Sequence, residues 1–444
     1  MKYTRLISVL LLGTALLAPA YTKAKAADRA AVIQHGIVEG FYGTPWTMSQ
    51  RQNLLEFCAK HDMNTYIYAP KDDPYHREHW RDSYPAATLS QLTKLKKQLH
   101  KAGMEFIFAI SPGNDLSFDG MKGYSDRRAM LHKLEELYSA GFRSFAIFFD
   151  DITDHSGAQQ AEFISFITSE FIETHPDCPP LLVVPTEYYL KDMKQDEQIK
   201  TYTREFSAGL PEAVTVLFTG QDVCPDGLKQ EDLEEFSQLY PRQKIGVWWN
   251  YPVNDYMRQR PALGPVDKLP SQPGNVPFFF NPMEYPQLSY LTLATAAEYC
   301  RNPAAYDSEA AWKNAIKEQY GLLAPEMRLF AEEHQRFEND WAHIGRQDSP
   351  ELKKLYQELF SSNENTQSLA SELLNEEEKR LKAAQKLKSK LPGKLLKELK
   401  PALLSYIDDK EACIRLLKKL TAPNAHSIQI MLELKELRQE MTQR

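Results

Sequence analysis

From Gly36 to Tyr299 the hydrophobic positions switch period repeatedly. Short apolar runs rich in β-branched and aromatic residues fall at Gly36–Glu39, Thr65–Ala69, Glu105–Ile110, Ser144–Phe149, Leu181–Val184, Val214–Phe218, Lys244–Trp248 and Val276–Phe280. Between them lie longer stretches with apolar residues three or four apart, among them Ser49–His61, Ser90–Ala102, Ser125–Ala140 and Gly157–His175. The short runs predict buried strands and the long ones helices, and Gly141 supplies a C-terminal stop for the third helix. Eight strands over about 265 residues, alternating with helices, predict a (β/α)8 barrel of the TIM type. An open doubly wound sheet is the alternative, but no GxGxxG phosphate loop follows the first strand.

Past about Asn302 the character changes. Ser308 is expected to cap a helix to Tyr320 that Gly321 ends, and Pro325 and Pro350 mark further helix starts. Charged residues interleave with Leu, Phe and Ile through Glu351–Leu391. Pro392-Gly393 interrupts that run and Pro423 the next. The expectation is an α-helical bundle following the barrel, with its charges on solvated helix faces. The division expected is 1–26 leader, 30–303 barrel and 304–444 helical bundle.

The leader follows from the first residues. Lys2 and Arg5 precede an apolar stretch from Leu6 to Ala20, and Ala24-Lys25-Ala26 fits a small-x-small cleavage site. The stretch is short for a membrane span, and no later one is long and apolar enough. Export is expected, to a periplasm or beyond the cell. The net charge of −7 gives no basic excess to neutralise phosphates, so nucleic acid is not an expected partner. Five cysteines, Cys58, Cys178, Cys224, Cys300 and Cys413, are widely spaced and odd in number. They allow at most two disulfides, and no CxxC or Cys/His cluster suggests zinc. The 22 Tyr and 21 Phe residues suit walls for sugar rings.

The strand ends carry the candidate chemistry. Phe145-Ala146-Ile147-Phe148-Phe149 runs straight into Asp150-Asp151, and in a barrel of this type the site is built at the carboxyl ends of the strands. Polar groups follow six other strands: the Gly40-Phe41-Tyr42-Gly43 turn, Lys71, Glu187 and Tyr188, Thr219, the group Trp248, Trp249, Asn250 and Asp255, and Asn281. The third strand leads instead into Ser111-Pro112-Gly113, a turn. Each residue has a plainer explanation: Lys71 as a surface ion pair with Asp72 or Asp73, the aromatics as packing, the asparagines as turn closers. Seven strand ends converging on one face favour a site. A metal at Asp150-Asp151 would need more oxygen ligands, and Asp154 is the only nearby addition. No cofactor is implied.

Glycosidases commonly place two carboxyl groups across the scissile bond, and neighbours on one strand end are poorly placed for that. A better fit has one carboxyl protonate the leaving oxygen while the other steadies a nucleophile belonging to the substrate, such as a 2-acetamido group that closes to an oxazoline. Two close like charges resist joint ionisation, so one of the pair can serve as the acid. Spacing does not say which.

Gly36-Ile37-Val38-Glu39-Gly40-Phe41-Tyr42-Gly43-Thr44-Pro45-Trp46, Tyr68-Ala69-Pro70-Lys71-Asp72-Asp73, Asp150-Asp151, Pro185-Thr186-Glu187-Tyr188, Trp248-Trp249-Asn250-Tyr251-Pro252 with Asp255, and Asn281-Pro282-Met283-Glu284 together resemble glycoside hydrolase family 84. The motifs occur in order along the barrel. The family comprises retaining β-N-acetylglucosaminidases, including O-GlcNAcases and some enzymes described as hyaluronidases. The resemblance implies that Asp150 orients the 2-acetamido nitrogen and that Asp151 is the general acid and then base. It implies Tyr188 as donor to the acetamido oxygen, Trp248 and Tyr42 as walls of the methyl pocket, and Gly40, Lys71, Asn250, Asp255 and Asn281 as holders of sugar hydroxyls. Thr219 and Val223 would line the pocket near the acetamide and aglycone. The expected partner is a glycan or glycoprotein bearing terminal β-linked GlcNAc. The rival expectations are an endo-acting hyaluronidase and a catalytically inactive glycan-binding barrel.

Overall fold

The structure, a computed structural model, describes residues 33–443 apart from 113–114, 154–155, 338–339, 362–364 and 423–426; side chains are not described for 337, 340–346 and 443. The leader, Gly113, Asp154 and Pro423 therefore lie outside the described residues.

Eight parallel strands close into a barrel: β1 (His35–Glu39), β2 (Thr65–Tyr68), β3 (Glu105–Ile110), β4 (Ser144–Phe148), β5 (Leu182–Val184), β6 (Thr215–Phe218), β7 (Lys244–Trp249) and β8 (Phe278–Phe280). Each pairs with its neighbours in chain order, and β1 closes the ring against β8, with Gly36 opposite Thr65 on one side and Phe279 on the other. Period-two alternation sorts the side chains. Val38, Ile67, Ala146, Phe148, Leu217 and Phe279 fill the barrel interior, while Phe145, Ile147 and Phe149 pack against the surrounding helices.

The outer helices are α1 (Met48–Lys60), α2 (Ala86–Lys101), α3 (Gly120–Ser139), α4 (Gly157–Ile167), α5 (Thr201–Gly209), α6 (Gln230–Leu239) and α7 (Pro286–Arg301). Thr47 caps α1 in a reciprocal capping box with Gln50. Glu39, the last residue of β1, is fully buried and takes a bidentate pair of bonds from Arg51 on α1, at 2.8 and 2.7 Å. It also accepts the backbone N–H of Trp46 at 3.2 Å. These bonds tie both ends of the Gly40–Thr44 turn to the wall. The fourth helical stretch is α-helical only to Ile167 and continues as a π-helix over Thr168–Ile172.

The rest is helical: α8 (Ser308–Tyr320), α9 (Ala324–Glu332), α10 (Pro350–Ser361), α11 (Thr366–Lys390), α12 (Gly393–Leu420) and α13 (Ser427–Gln443). Three points differ from the sequence reading. Asp307, not Ser308, caps α8. An antiparallel hairpin, His334–Phe337 with Asp340–Arg346, interrupts the helical run. The charges of Glu351–Leu391 are not all on solvated faces, since Glu377 and Arg380 are buried. They join Lys410, Glu333, Tyr356 and Tyr406 in a closed network of ion pairs and hydrogen bonds. The apolar layer outside the barrel runs without a break into these helices through Trp312, Met327, Leu387, Leu399 and Tyr406.

Glu398 on α12 links the two parts. Its carboxylate accepts the N–H groups of Gln287 and Leu288, at 2.9 and 3.2 Å, at the start of α7. Burial nevertheless pushes its carboxyl up to about 7. An acid whose folded-state value is raised contributes stability fully below its unfolded value and loses it as pH rises through the folded one. Thermal stability should therefore decline from about pH 4.5 to about pH 7 through this group, by up to roughly 3 kcal/mol. Glu398→Gln keeps an acceptor for the helix end and should flatten the decline. Identical slopes for variant and wild type would refute the assignment.

Candidate active site

Alternation along β4 turns Phe149 outward, toward the helices, and the next residue, Asp150, inward. An extended Asp151 would face away again. Its backbone instead takes the left-handed region, φ +56°, which Asp tolerates better than most residues. That turn brings the second carboxylate to the same cavity as the first.

The cavity has a volume of about 260 Å³ and sits at the carboxyl ends of the strands. All twelve residues to which the family resemblance assigns a role line it: Gly40, Tyr42, Lys71, Asp150, Asp151, Tyr188, Thr219, Val223, Trp248, Asn250, Asp255 and Asn281. Asp150 is buried, and its Oδ2 accepts Lys71 Nζ in an ion pair. Its Oδ1 is buried with no hydrogen-bond partner among the described residues. Asp151 sits at the exposed mouth, where Tyr42 donates to Oδ2 at 2.7 Å and Tyr188 to Oδ1 at 3.0 Å. Burial, and then the neighbouring Asp151, raise both phenols well above the ordinary tyrosine value, so both remain donors.

Gly40 is set by close approach. A Cβ there would meet the Trp248 ring at 2.3 Å, so any other residue would move the indole that forms the floor. Asn250 Oδ1 accepts Trp248 Nε1 at 2.8 Å and Asn281 Nδ2 at 3.0 Å, while its Nδ2 donates to the Val223 carbonyl at 2.9 Å. This side chain links three strand ends as well as lining the cavity. Asp255 accepts the backbone N–H of Tyr42 at 2.7 Å, and burial raises its carboxyl. The Thr219 hydroxyl is committed to the Asp222 carbonyl at 2.7 Å, so it shapes the wall.

Three sequence expectations turn out differently. Lys71 is not in a surface pair with Asp72 or Asp73; it is buried against Asp150. Glu187 turns away from the cavity to accept Thr203 Oγ1 at 2.5 Å, with Lys200 Nζ at 3.5 Å. Trp249 faces outward, toward the hairpin, with Arg336 5.8 Å from its ring centre. Among the described residues no group of three or more His, Cys, Asp or Glu could hold a metal, and no helix is long and apolar enough to cross a membrane. All five cysteines are free thiols.

Besides the strand residues Val184, Leu217 and Phe218 of the lining, four contributors escaped the sequence reading. Val253, Tyr256 and Cys224 line the cavity, and burial pushes the Cys224 thiol up to about 12, so it stays neutral. Arg77 donates to the Tyr42 hydroxyl at 2.5 Å and to the Asp151 carbonyl oxygen at 3.0 Å, bracing the left-handed residue. Only its position six residues after Lys71 hinted at it. Arg77 also lines a second hollow of about 610 Å³ that shares Tyr42 and Lys71 with the first and adds Asp72, Glu78 and Asp115.

The sequence model of the NAGidase family, beta-N-acetylglucosaminidase, matches residues 35–332. The mouse and rat proteins named Protein O-GlcNAcase are each 38% identical over 238 residues, covering 52% of this chain and 25% of theirs. The chain thus spans about a quarter of the length of these relatives. The solved structure of CpGH84B superposes with a TM-score of 0.83 at 37% identity, over 92% of this chain and 73% of that one. A mutant of the Thermobaculum terrenum O-GlcNAc hydrolase gives 0.77 at 26% identity, over 92% and 88%. The family match takes in every cavity-lining residue described above, and with it the chain belongs to glycoside hydrolase family 84, the β-N-acetylglucosaminidase family.

Proposed function

We propose that this protein is an exported, retaining exo-β-N-acetylglucosaminidase of the O-GlcNAcase type, acting on terminal β-linked GlcNAc of glycans or glycoproteins by substrate assistance. One observation carries the reading. Two adjacent carboxylates reach the same one-sugar cavity in unlike surroundings, Asp150 buried with one oxygen unpartnered and Asp151 at the mouth. The unpartnered Asp150 oxygen suits an acetamide N–H, and Lys71 holds the other oxygen in place. Accepting that N–H makes the acetamide carbonyl oxygen more nucleophilic toward the anomeric carbon. As the oxazoline forms, protonated on nitrogen with its N–H held by Asp150, the glycosidic oxygen departs with a proton from Asp151. Water then adds to the anomeric carbon, gives its proton back to Asp151, and opens the ring with retention. Tyr188 would move its donor from Asp151 to the acetamide oxygen, and Trp248 and Tyr42 would enclose the methyl group.

Exo action is supported by the small cavity, closed by Asn250, Asp255 and Asn281. Export rests on the charged, apolar and small-residue pattern of residues 1–26. The test is hydrolysis of p-nitrophenyl β-GlcNAc carrying zero to three fluorines on the acetyl group. Each fluorine weakens the carbonyl oxygen as a nucleophile, so the rate should fall steeply along the series. A flat series with clear activity would require an enzyme nucleophile, with Asp255 the remaining carboxylate of the lining, and would overturn the mechanism.

A further inference from the structure

We propose that Arg336, from the hairpin after α9, is a positioning residue for the sugar cavity, so that the C-terminal part of the chain helps to build the site. This rests on the glycosidase reading above. The hairpin strand His334–Phe337 lies outside the (β/α)8 repeat and beyond the family match, which ends at residue 332. It is laid along the long segment between β7 and β8, where the Leu263 N–H donates to the His334 carbonyl at 2.8 Å. From there the Arg336 guanidinium donates through Nη1 to the carbonyl of Pro225 and through Nη2 to that of Asn250, the latter at 3.1 Å. Its plane is steadied by Tyr251, whose ring centre is 4.3 Å from Cζ.

The two carbonyls belong to different walls. Pro225 follows Val223 and Cys224 in the loop after β6, and Asn250 follows β7 directly. Inside the cavity the same two segments are joined again, by Asn250 Nδ2 on the Val223 carbonyl. Arg336 therefore fastens from behind what Asn250 fastens from within. A planar fork can hold two acceptors at once, whereas an ammonium acts as a point charge. Without the fork the Val223–Asn250 wall loosens, while Asp150, Asp151 and Lys71, which make no bond to Arg336, keep their geometry. The loss falls on binding of the sugar ring more than on the chemical step.

The experiment compares wild type, Arg336→Ala and Arg336→Lys on p-nitrophenyl β-GlcNAc, with calorimetric binding of free GlcNAc measured in parallel. Arg336→Ala should raise KM and weaken GlcNAc binding about tenfold to a hundredfold, with kcat changed far less. Millimolar guanidinium, but not sodium chloride, should restore part of the loss, and Arg336→Lys should recover only a fraction. Wild-type KM and affinity in both variants would overturn the proposal. So would a fall in kcat alone, or losses that track unfolded protein and ignore guanidinium. If Arg336→Ala fails to fold, Arg336→Lys decides by the same criteria. A wild type that binds GlcNAc without turnover sinks the hydrolase reading instead, and the affinities still judge Arg336.

Discussion

Asp151→Asn should lower kcat/KM by roughly 10²–10⁴-fold on substrates with poor leaving groups, such as GlcNAc on a serine hydroxyl. The activated p-nitrophenyl glycoside should lose far less. An alkoxide needs a proton as the bond breaks, and a nitrophenolate needs little help. Under the proposed roles Asp151 is that proton source: it stands at the mouth, held among the described residues by the Tyr42 and Tyr188 hydroxyls and by Arg77 on its carbonyl. Asparagine keeps one acceptor for a tyrosine hydroxyl, turns its Nδ2 to the other as a donor, and leaves Asp150 and Lys71 in place, so the main function lost is proton transfer. Asp150→Asn provides the contrast. In the proposed mechanism its carboxylate serves the nucleophile, which every substrate shares, so all leaving groups should slow together. A leaving-group series for both variants checks this, and parallel profiles would mean the roles are wrongly divided.

The largest stability effect is expected far from the cavity. Lys410, fully buried on α12, sits 2.7 Å from both Glu333 and Glu377, themselves buried. Tyr406 and Tyr356 donate to the same two carboxylates at 2.7 and 2.6 Å. Lys410→Met fills much of the volume but removes the cation the two buried carboxylates share, leaving Glu333 only Arg380 at 3.1 Å and Glu377 only Arg438 at 3.6 Å among the described residues. Breaking a buried pair from one side typically costs about 3–5 kcal/mol, which for a chain this size lowers the unfolding temperature on the order of 5 °C. Adding Glu377→Gln should recover part of the loss, because one of the under-compensated charges is gone. A single variant as stable as wild type, or a double variant worse than the single, would contradict this account.

The barrel was legible because its signal is local and repeated. Eight apolar runs predicted eight strands, all present with ends within about two residues, the usual margin where a ladder frays. The hairpin after α9 was missed because the bundle was inferred from the helix signals on either side of it, at Pro325 and Pro350. The buried charges Glu377 and Arg380 were read as solvated, since a charge pattern on one helix says nothing of the helices that cover it. Glu187 shows the same limit at the site: it stands beside Tyr188 in sequence, yet the turn after β5 sends the two side chains to opposite sides.

The sequence by itself determined the barrel, the strand ends on which chemistry could be built, and the family, because strand period and motif order are properties of the chain read locally. Only the tertiary structure decided how those residues are used. It paired Lys71 with Asp150, turned Asp151 back toward its neighbour, committed the Asn250 amide to three strand ends, and brought Arg77 and Arg336 to the site from segments that carry no motif. The physical reason is that backbone alternation assigns a side chain to a face, whereas its hydrogen-bond partner is whatever a distant part of the chain brings within about 3 Å.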